Sequence, residues 1–379
     1  MDLSQFKAGN QIKQPTGYRS FVPETINETL TWSEPSINTA LEKATLQLGA
    51  LNSFSRFVPD IGLFIGMHVV KEATESSRIE GTQTNIEEAL IKSSDIDPEK
   101  RNDWQEVNNY IRAMNYAIDR LQTLPLSSRL LKETHAILLE GVRGEHKLPG
   151  EFRSSQNWIG GASLNDAVFI PPPHHEVDRL MGDLENFLHN DDITVPHLIK
   201  IALAHYQFET IHPFLDGNGR IGRLMITLYL IENRIIEKPI LYISDFFEKN
   251  KGLYYDNLTA VRRNNDLTQW LRFFLEGVAQ TCSIAAESLQ EIMQLRRECE
   301  GAKIIHLGKR APNAKKLLDH LFGQPVVTAS DISELLAVSL VSTYKIIDEF
   351  VKAGILKEVT GFKRNRFFVF KQYLDIFHK

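Results

Sequence analysis

Twelve consecutive residues, His212 to Arg223, carry the side-chain types and the backbone freedom of a phosphoryl-transfer site. Gly217-Asn218-Gly219 gives a chain free to turn tightly, so that successive N–H groups can face one anion before a helix predicted over Arg220 to Asn233. A helix N-terminus joined to such a turn attracts phosphate. Arg220 and Arg223, three apart, project to one side of that helix and can grip two oxygens of a polyphosphate. Asp216 offers a hard oxygen for Mg²⁺ bridging phosphates, and His212 an imidazole able to take the proton of an attacking hydroxyl. Each piece alone has a bland reading: a structural histidine before proline, an ordinary turn, a solvated arginine face. Base, metal ligand, anion nest and clamp in this order argue for phosphoryl chemistry. Phe214 and Leu215 are assigned to packing.

The segment resembles the signature of the Fic family of nucleotidyl transferases, His-Pro-Phe-x-Asp-Gly-Asn-Gly-Arg-x-x-Arg, at all nine specified positions. The resemblance covers roughly residues 1 to 280. It implies that His212 is the general base, Asp216 the Mg²⁺ ligand, and Asn218 with Gly219 the anion hole for the α- and β-phosphates of ATP, with Gly217 among the nucleotide-binding residues. Arg220 would hold phosphate and Arg223 the γ-phosphate, with Ile221 and Gly222 completing the nucleotide-binding segment. The implied reaction leaves AMP on a Ser, Thr or Tyr hydroxyl of a target protein, or of the enzyme itself, and releases pyrophosphate. Asn157, Trp158, Ile159 and Gly160 match the family's flap strand, which holds the target by strand addition. Tyr254 and Tyr255 match a pair that contacts adenine, while Arg262 stands where some relatives have an Asn.

A second resemblance lies upstream. Ser76-Ser77-Arg78-Ile79-Glu80-Gly81 is similar to the inhibitory motif Ser/Thr-x-x-x-Glu-Gly/Asn of these proteins. It implies that Glu80 pairs with Arg223 and blocks the γ-phosphate seat. From the residues alone, Gly81 is a C-cap that leaves Glu80 in the last helical turn, where an anion is disfavoured and wants a cationic partner.

The elements that must position these residues read as mainly α. Helical periods run from Ser36, through Ile61 to Glu80, Glu87 to Ser93, Trp104 to Leu121, Ser128 to Leu139, Glu176 to His189, Val195 to Thr210, and on to about Glu300. Residues 1 to about 35 read as an extended arm. Gly150 to Pro173, with aromatic and β-branched residues among Gly160-Gly161 and three prolines, reads as a β-hairpin, placed where the family keeps its flap. The expected fold is a Fic-type helical bundle with this flap, followed by a small C-terminal winged-helix unit. The expected domains are 1–100 (arm and helices with the inhibitory helix), 101–300 (catalytic core) and 301–379.

That last unit follows a linker candidate at 301 to 312 and carries 13 Lys+Arg against 7 Asp+Glu, whereas the whole chain has a net charge of −5. Its order is helix 313–322, strand 326–327, helices 329–336 and 340–353, then two strands around Gly361 to Asn365, a winged helix-turn-helix pattern. Ser342, Thr343 and Lys345 would face outward, with Lys363, Arg364 and Arg366 on the wing, so residues 313–370 are a candidate DNA surface. Such units also dock proteins. Two further readings follow: a transcriptional regulator whose core senses ATP, and a Fic enzyme that moves another phosphate-containing group or removes AMP. The opening residues lack a signal-peptide pattern and no apolar run suits a membrane, so a cytoplasmic protein with two free thiols, Cys282 and Cys299, is expected. Relatives with this domain order imply a homodimer.

Overall fold

A computed structural model describes residues 1–58, 60–361 and 366–378. The chain opens with a hairpin of β1 (Gly9–Lys13) and β2 (Arg19–Pro23), antiparallel with Gly9 opposite Pro23. The expected arm is therefore partly a paired ribbon: Ser20 and Phe21 are buried while β1 stays on the surface. Helix α1 (Pro35–Ser55) starts at a proline, whose missing N–H costs nothing in a first turn. Helix α2 (Ile61–Ile79) ends where Glu80 caps it and Gly81 takes φ +105°, a conformation that favours glycine.

The expected helix from Glu87 to Ser93 is shorter. Helix α3 (Ile86–Ala89) forms on an Asn85–Glu88 capping box, and a 3-10 turn follows at Ser93–Asp95. Tertiary partners replace the missing helical bonds: the Gln324 amide donates to the Leu90 carbonyl, and Trp104 Nε1 donates to the Ile91 carbonyl at 3.2 Å.

Helices α4 (Arg101–Arg120), α5 (Ser128–Leu138), α6 (Val177–His189), α7 (His197–Ile211) and α8 (Asn218–Glu232) build the body. The faces of α4, α5 and α6 alternate apolar and polar, so each buries one stripe. By contrast α7 and α8 are buried on nearly every side, pack on each other, and form the central pair. Beyond them come α9 (Ser244–Lys249), α10 (Lys251–Asn264) and α11 (Leu267–Glu298), the last running along α1.

Gly150 to Pro173 departs from the hairpin expectation. Only one antiparallel bridge forms, Ile159 opposite Phe169. Gly160 and Gly161 adopt φ +69° and +73°, and the Asp166 carboxylate accepts the N–H groups of Ala162 and Ser163, so the connection curls before a ladder can extend. The flap is moored to the opening hairpin, because Phe21 N–H donates to the Ile170 carbonyl at 2.9 Å.

Residues 301–312 hold a π turn (Cys299–Lys303) and a 3-10 stretch (Ile305–Arg310) that kinks at Gly308. Then follow α12 (Ala311–Gly323), β3 (Val326–Thr328), α13 (Ala329–Leu336), α14 (Leu340–Lys352), β4 (Lys357–Glu358), β5 (Phe367–Val369) and α15 (Lys371–Phe377). The sheet order is β3-β5-β4, all antiparallel. The sequence reading missed α15, which buries Tyr373, Leu374, Ile376 and Phe377. Thr343 corrects another expectation: it is buried, its hydroxyl donating to the Ser339 carbonyl at 3.1 Å, whereas Ser342 and Lys345 are exposed. Lys363 and Arg364 lie outside the described residues. Arg366 lays its guanidinium over the rings of Tyr344 and Phe368, at 5.2 and 5.4 Å.

Candidate active site

His212 ends α7 in the left-handed region (φ 50°, ψ 60°), which turns the chain sharply into the signature loop. Gly217 makes a second left-handed turn (φ 76°), and α8 starts at Asn218, two residues earlier than the sequence suggested. The first N–H groups of α8 are thus those of the glycine-rich turn itself, and they lack intrahelical partners. Burial, with the charges of Arg262 and Arg153, pushes the His212 imidazole down to about 3, so the ring is neutral and able to accept a proton.

Several residues that sequence reasoning did not single out fix this loop. His135 on α5 accepts the Gly150 N–H at Nδ1 (2.9 Å), which leaves Nε2 as the protonated nitrogen donating to the Asp216 carbonyl at 3.0 Å. Its ring also stacks on Phe214, 3.8 Å between centroids. Arg153 donates from Nε to the His212 carbonyl at 3.0 Å and from Nη2 to the Pro172 carbonyl at 2.5 Å, joining loop and flap. Asn157, expected as part of the flap strand, donates from Nδ2 to the carbonyls of His212 (3.2 Å) and Phe214 (2.9 Å). Asn218 uses its side chain inward: its amide accepts the Phe214 N–H and donates to the Phe214 carbonyl, both 2.8 Å. Only the Asn218 backbone is left to meet an anion.

The two arginines are both buried but held by different partners. Arg220 pairs with buried Glu106 at 3.1 Å and approaches Asp216 at 3.6 Å. Burial is the leading influence on Glu106 and raises its carboxyl, against the pull of Arg220 and Arg143. Arg223 donates from Nη2 to Glu80 Oε1 at 2.7 Å. Burial draws the Glu80 carboxyl upward, but the charge and hydrogen bond of Arg223, with the charge of Arg220, outweigh this and hold it below the ordinary range. A Cβ on Gly219 would sit 2.3 Å from Glu80 Oε1, so glycine at this turn is what lets the carboxylate approach.

Behind Arg223 stand two buried carboxyls, Glu72 and Glu209, both raised to about 7 chiefly by burial. Glu72 is bonded to the Ser244 N–H at 3.1 Å. His205 Nδ1 donates to the Gly222 carbonyl (2.9 Å), so Nε2 accepts from the Tyr254 hydroxyl (2.8 Å). Tyr254 is thereby committed to the core, whereas neighbouring Tyr255 is partly exposed. Arg262 bonds Thr210 Oγ1 and the Glu209 carbonyl, both at 3.1 Å, and covers the Phe169 ring at 4.0 Å. In the flap, Trp158 is partly exposed and Ile159 makes the bridge. Ile221 and Gly222 are buried in α8, and Gly222 admits Glu209, whose Oε1 would be 2.4 Å from any Cβ there.

The helical body thus presents an uncapped, glycine-led helix N-terminus beside a neutral histidine and two buried arginines. Residues 38–119 match the Fic/DOC family N-terminal region, and residues 125–230 match the Fic/DOC family domain. Over these residues the chain belongs to the Fic/DOC family. It is 31% identical over 144 residues to a protein adenylyltransferase Fic of Aedes aegypti, covering 38% of this chain and 26% of that one. It is 29% identical over 186 residues to a probable protein adenylyltransferase of Aquifex aeolicus, covering 46% and 55%. The chain therefore spans between about a quarter and just over half the length of these curated relatives. Among solved structures, a Fic family protein from Desulfovibrio desulfuricans superposes with a TM-score of 0.57 at 19% identity, over 91% of this chain and 98% of that one. A Fic domain protein of Bacteroides thetaiotaomicron gives 0.53 at 18%, over 65% and 97%.

Proposed function

We propose that this chain transfers AMP from ATP to a hydroxyl of a protein, and that Glu80 holds the activity in check. The observation that carries the reading is the 2.7 Å contact of Glu80 with Arg223, made directly over the turn where the polyphosphate would lie. In the reaction the hydroxyl oxygen bonds to the α-phosphorus, its proton passes to His212, and the bond to the bridging oxygen breaks to release pyrophosphate. The neutral state of His212 supports that role. As ATP brings negative charge beside the ring, its proton affinity rises, so the base strengthens when the substrate is seated.

The N–H groups that open α8, with Arg220 beside them, suit the phosphates. Glu106 keeps Arg220 fixed, so little reorganisation is needed when charge develops. The Asp216 carboxylate is partly exposed and has an oxygen left over after accepting the Gly217 N–H, a hard ligand that would help hold Mg²⁺. Such an ion would neutralise phosphate charge. The flap, with exposed Trp158 and only one internal bridge, has main-chain groups free to pair with a target segment.

The test is the intact mass of Glu80→Gly after incubation with ATP and Mg²⁺, alone and with a cell extract as acceptor. Gain of one AMP by the chain or by an extract protein, absent in Glu80→Gly/His212→Ala, is the expected result. No AMP incorporation into either would reject the transfer reading.

A further inference from the structure

The N-terminal end of α2 and the C-terminal elements enclose a cleft of about 360 Å³, away from the signature loop. Its walls are apolar: Leu63 and Phe64 from α2, Met293 from α11, Phe322 from α12 and Tyr373 from α15. The rim is charged, but its charges are unequally engaged. Arg296 takes both rim carboxylates, Asp60 at 2.9 Å and Glu300 at 3.1 Å, and also Asp319 at 2.9 Å. Arg297 and Lys315 are exposed at the same rim, and among the described residues no ion pair engages either. The acids are spent and two cations are not.

A volume of several hundred Å³ with apolar walls and a few polar groups at one side is the form of a small-molecule site. We propose that this cleft binds a small aromatic or aliphatic anion, its apolar part between α2 and the C-terminal helices and its charge on Arg297 and Lys315. The ligand would also act on α2. Phe64 contacts Phe377 with ring centroids 6.4 Å apart, and Phe377 in turn meets His68 and Tyr373, each at 5.2 Å. One end of α2 is thus packed into the cleft wall while the other delivers Glu80 to Arg223. Because the cleft exists in the arrangement where Glu80 is seated, a molecule filling it favours that arrangement. The binding site stands by itself; its bearing on the brake rests on the reading of Glu80 above.

The test uses 8-anilinonaphthalene-1-sulfonate, an aromatic anion, as the probe with the full chain. Fluorescence should rise along a single saturable curve. Arg297→Glu, a surface change that leaves the core intact, should weaken binding roughly tenfold, the size of one lost charge-assisted contact. Met293→Trp, which fills the cleft, should abolish it. At a probe concentration that fills most of the wild type but little of Arg297→Glu, hydrogen exchange across residues 61–79 should slow in the wild type and much less in the variant. Equal probe affinity in wild type and Arg297→Glu, or unchanged exchange in 61–79 at saturation, would overturn the proposal. Neither readout involves ATP, so failure here is distinct from failure of AMP transfer.

Discussion

Ser76 holds Arg223 at two points: its hydroxyl accepts from Nε and its carbonyl from Nη2, both at 2.8 Å. Ser76 lies one helical turn before Glu80 on α2, so a single helix supplies both the contacts that orient Arg223 and the carboxylate that pairs with it. Removing the charge should leave the arginine aimed. Glu80→Gly is expected to raise AMP incorporation about tenfold or more, since a hydrogen bond to a charged group is worth about 1.5–3 kcal/mol. Adding Ser76→Ala should cancel much of the gain through a higher KM for ATP. A labelling time course with α-labelled ATP checks both, and a double variant as active as Glu80→Gly would remove Ser76 from this role.

His135 should matter to the reaction without touching the substrate. His135→Phe keeps the stack on Phe214 but loses the bonds to Gly150 and Asp216. Loss of two neutral bonds, with their partners left buried, costs about 1–3 kcal/mol each. In the Glu80→Gly background, kcat should fall at least about tenfold while the far-ultraviolet circular dichroism stays native. An unchanged kcat would show that the loop holds its shape without the imidazole.

The Arg220–Glu106 pair is buried at both ends. Glu106→Ala leaves a guanidinium in the interior with Asp216 as its remaining ion-pair partner, and breaking a buried pair this way costs about 3–5 kcal/mol. Denaturant unfolding should detect the loss, and Glu106→Gln should lose less. A Glu106→Ala midpoint equal to wild type would mean that water reaches Arg220.

A pH test follows from Glu209, whose carboxyl burial raises from 4.5 to about 7. The folded chain keeps the proton that the unfolded chain releases, so this group's stabilising contribution is full below pH 4.5 and is lost as pH rises to about 7. Glu209→Gln cannot ionise and should escape that loss. Its stability relative to wild type should climb between those values by up to about 3 kcal/mol, then level off. Parallel stability curves over this range would mean that Glu209 ionises normally.

The sequence made the signature loop legible because its chemistry is contiguous: His212, Asp216, the glycine turn and both arginines lie within twelve residues. The partner of Arg223 was legible only through the family resemblance, since Glu80 is 143 residues away. What fixes the loop was not legible. His135 and Arg153 are single polar residues 81 and 59 positions from the groups they bind, and nothing local distinguishes them from a satisfied core histidine or a surface arginine. The short hairpin expected at the flap is reduced to a single bridge, because its aromatic and β-branched residues suit strands while Asp166 favours a local turn. Helix α15 was missed in the opposite sense, as seven residues are too few to display a period.

The bond from Phe21 to Ile170 bears on where the working unit begins. The matched family regions start at residue 38, yet the flap's exit is moored to a strand that ends at Pro23. A fragment cut at the family boundary would keep every signature residue and still lose the anchor of the flap. On the AMP-transfer reading proposed above, such a truncation would look catalytically damaged although its signature residues were intact, and the leading ribbon belongs with the flap it moors.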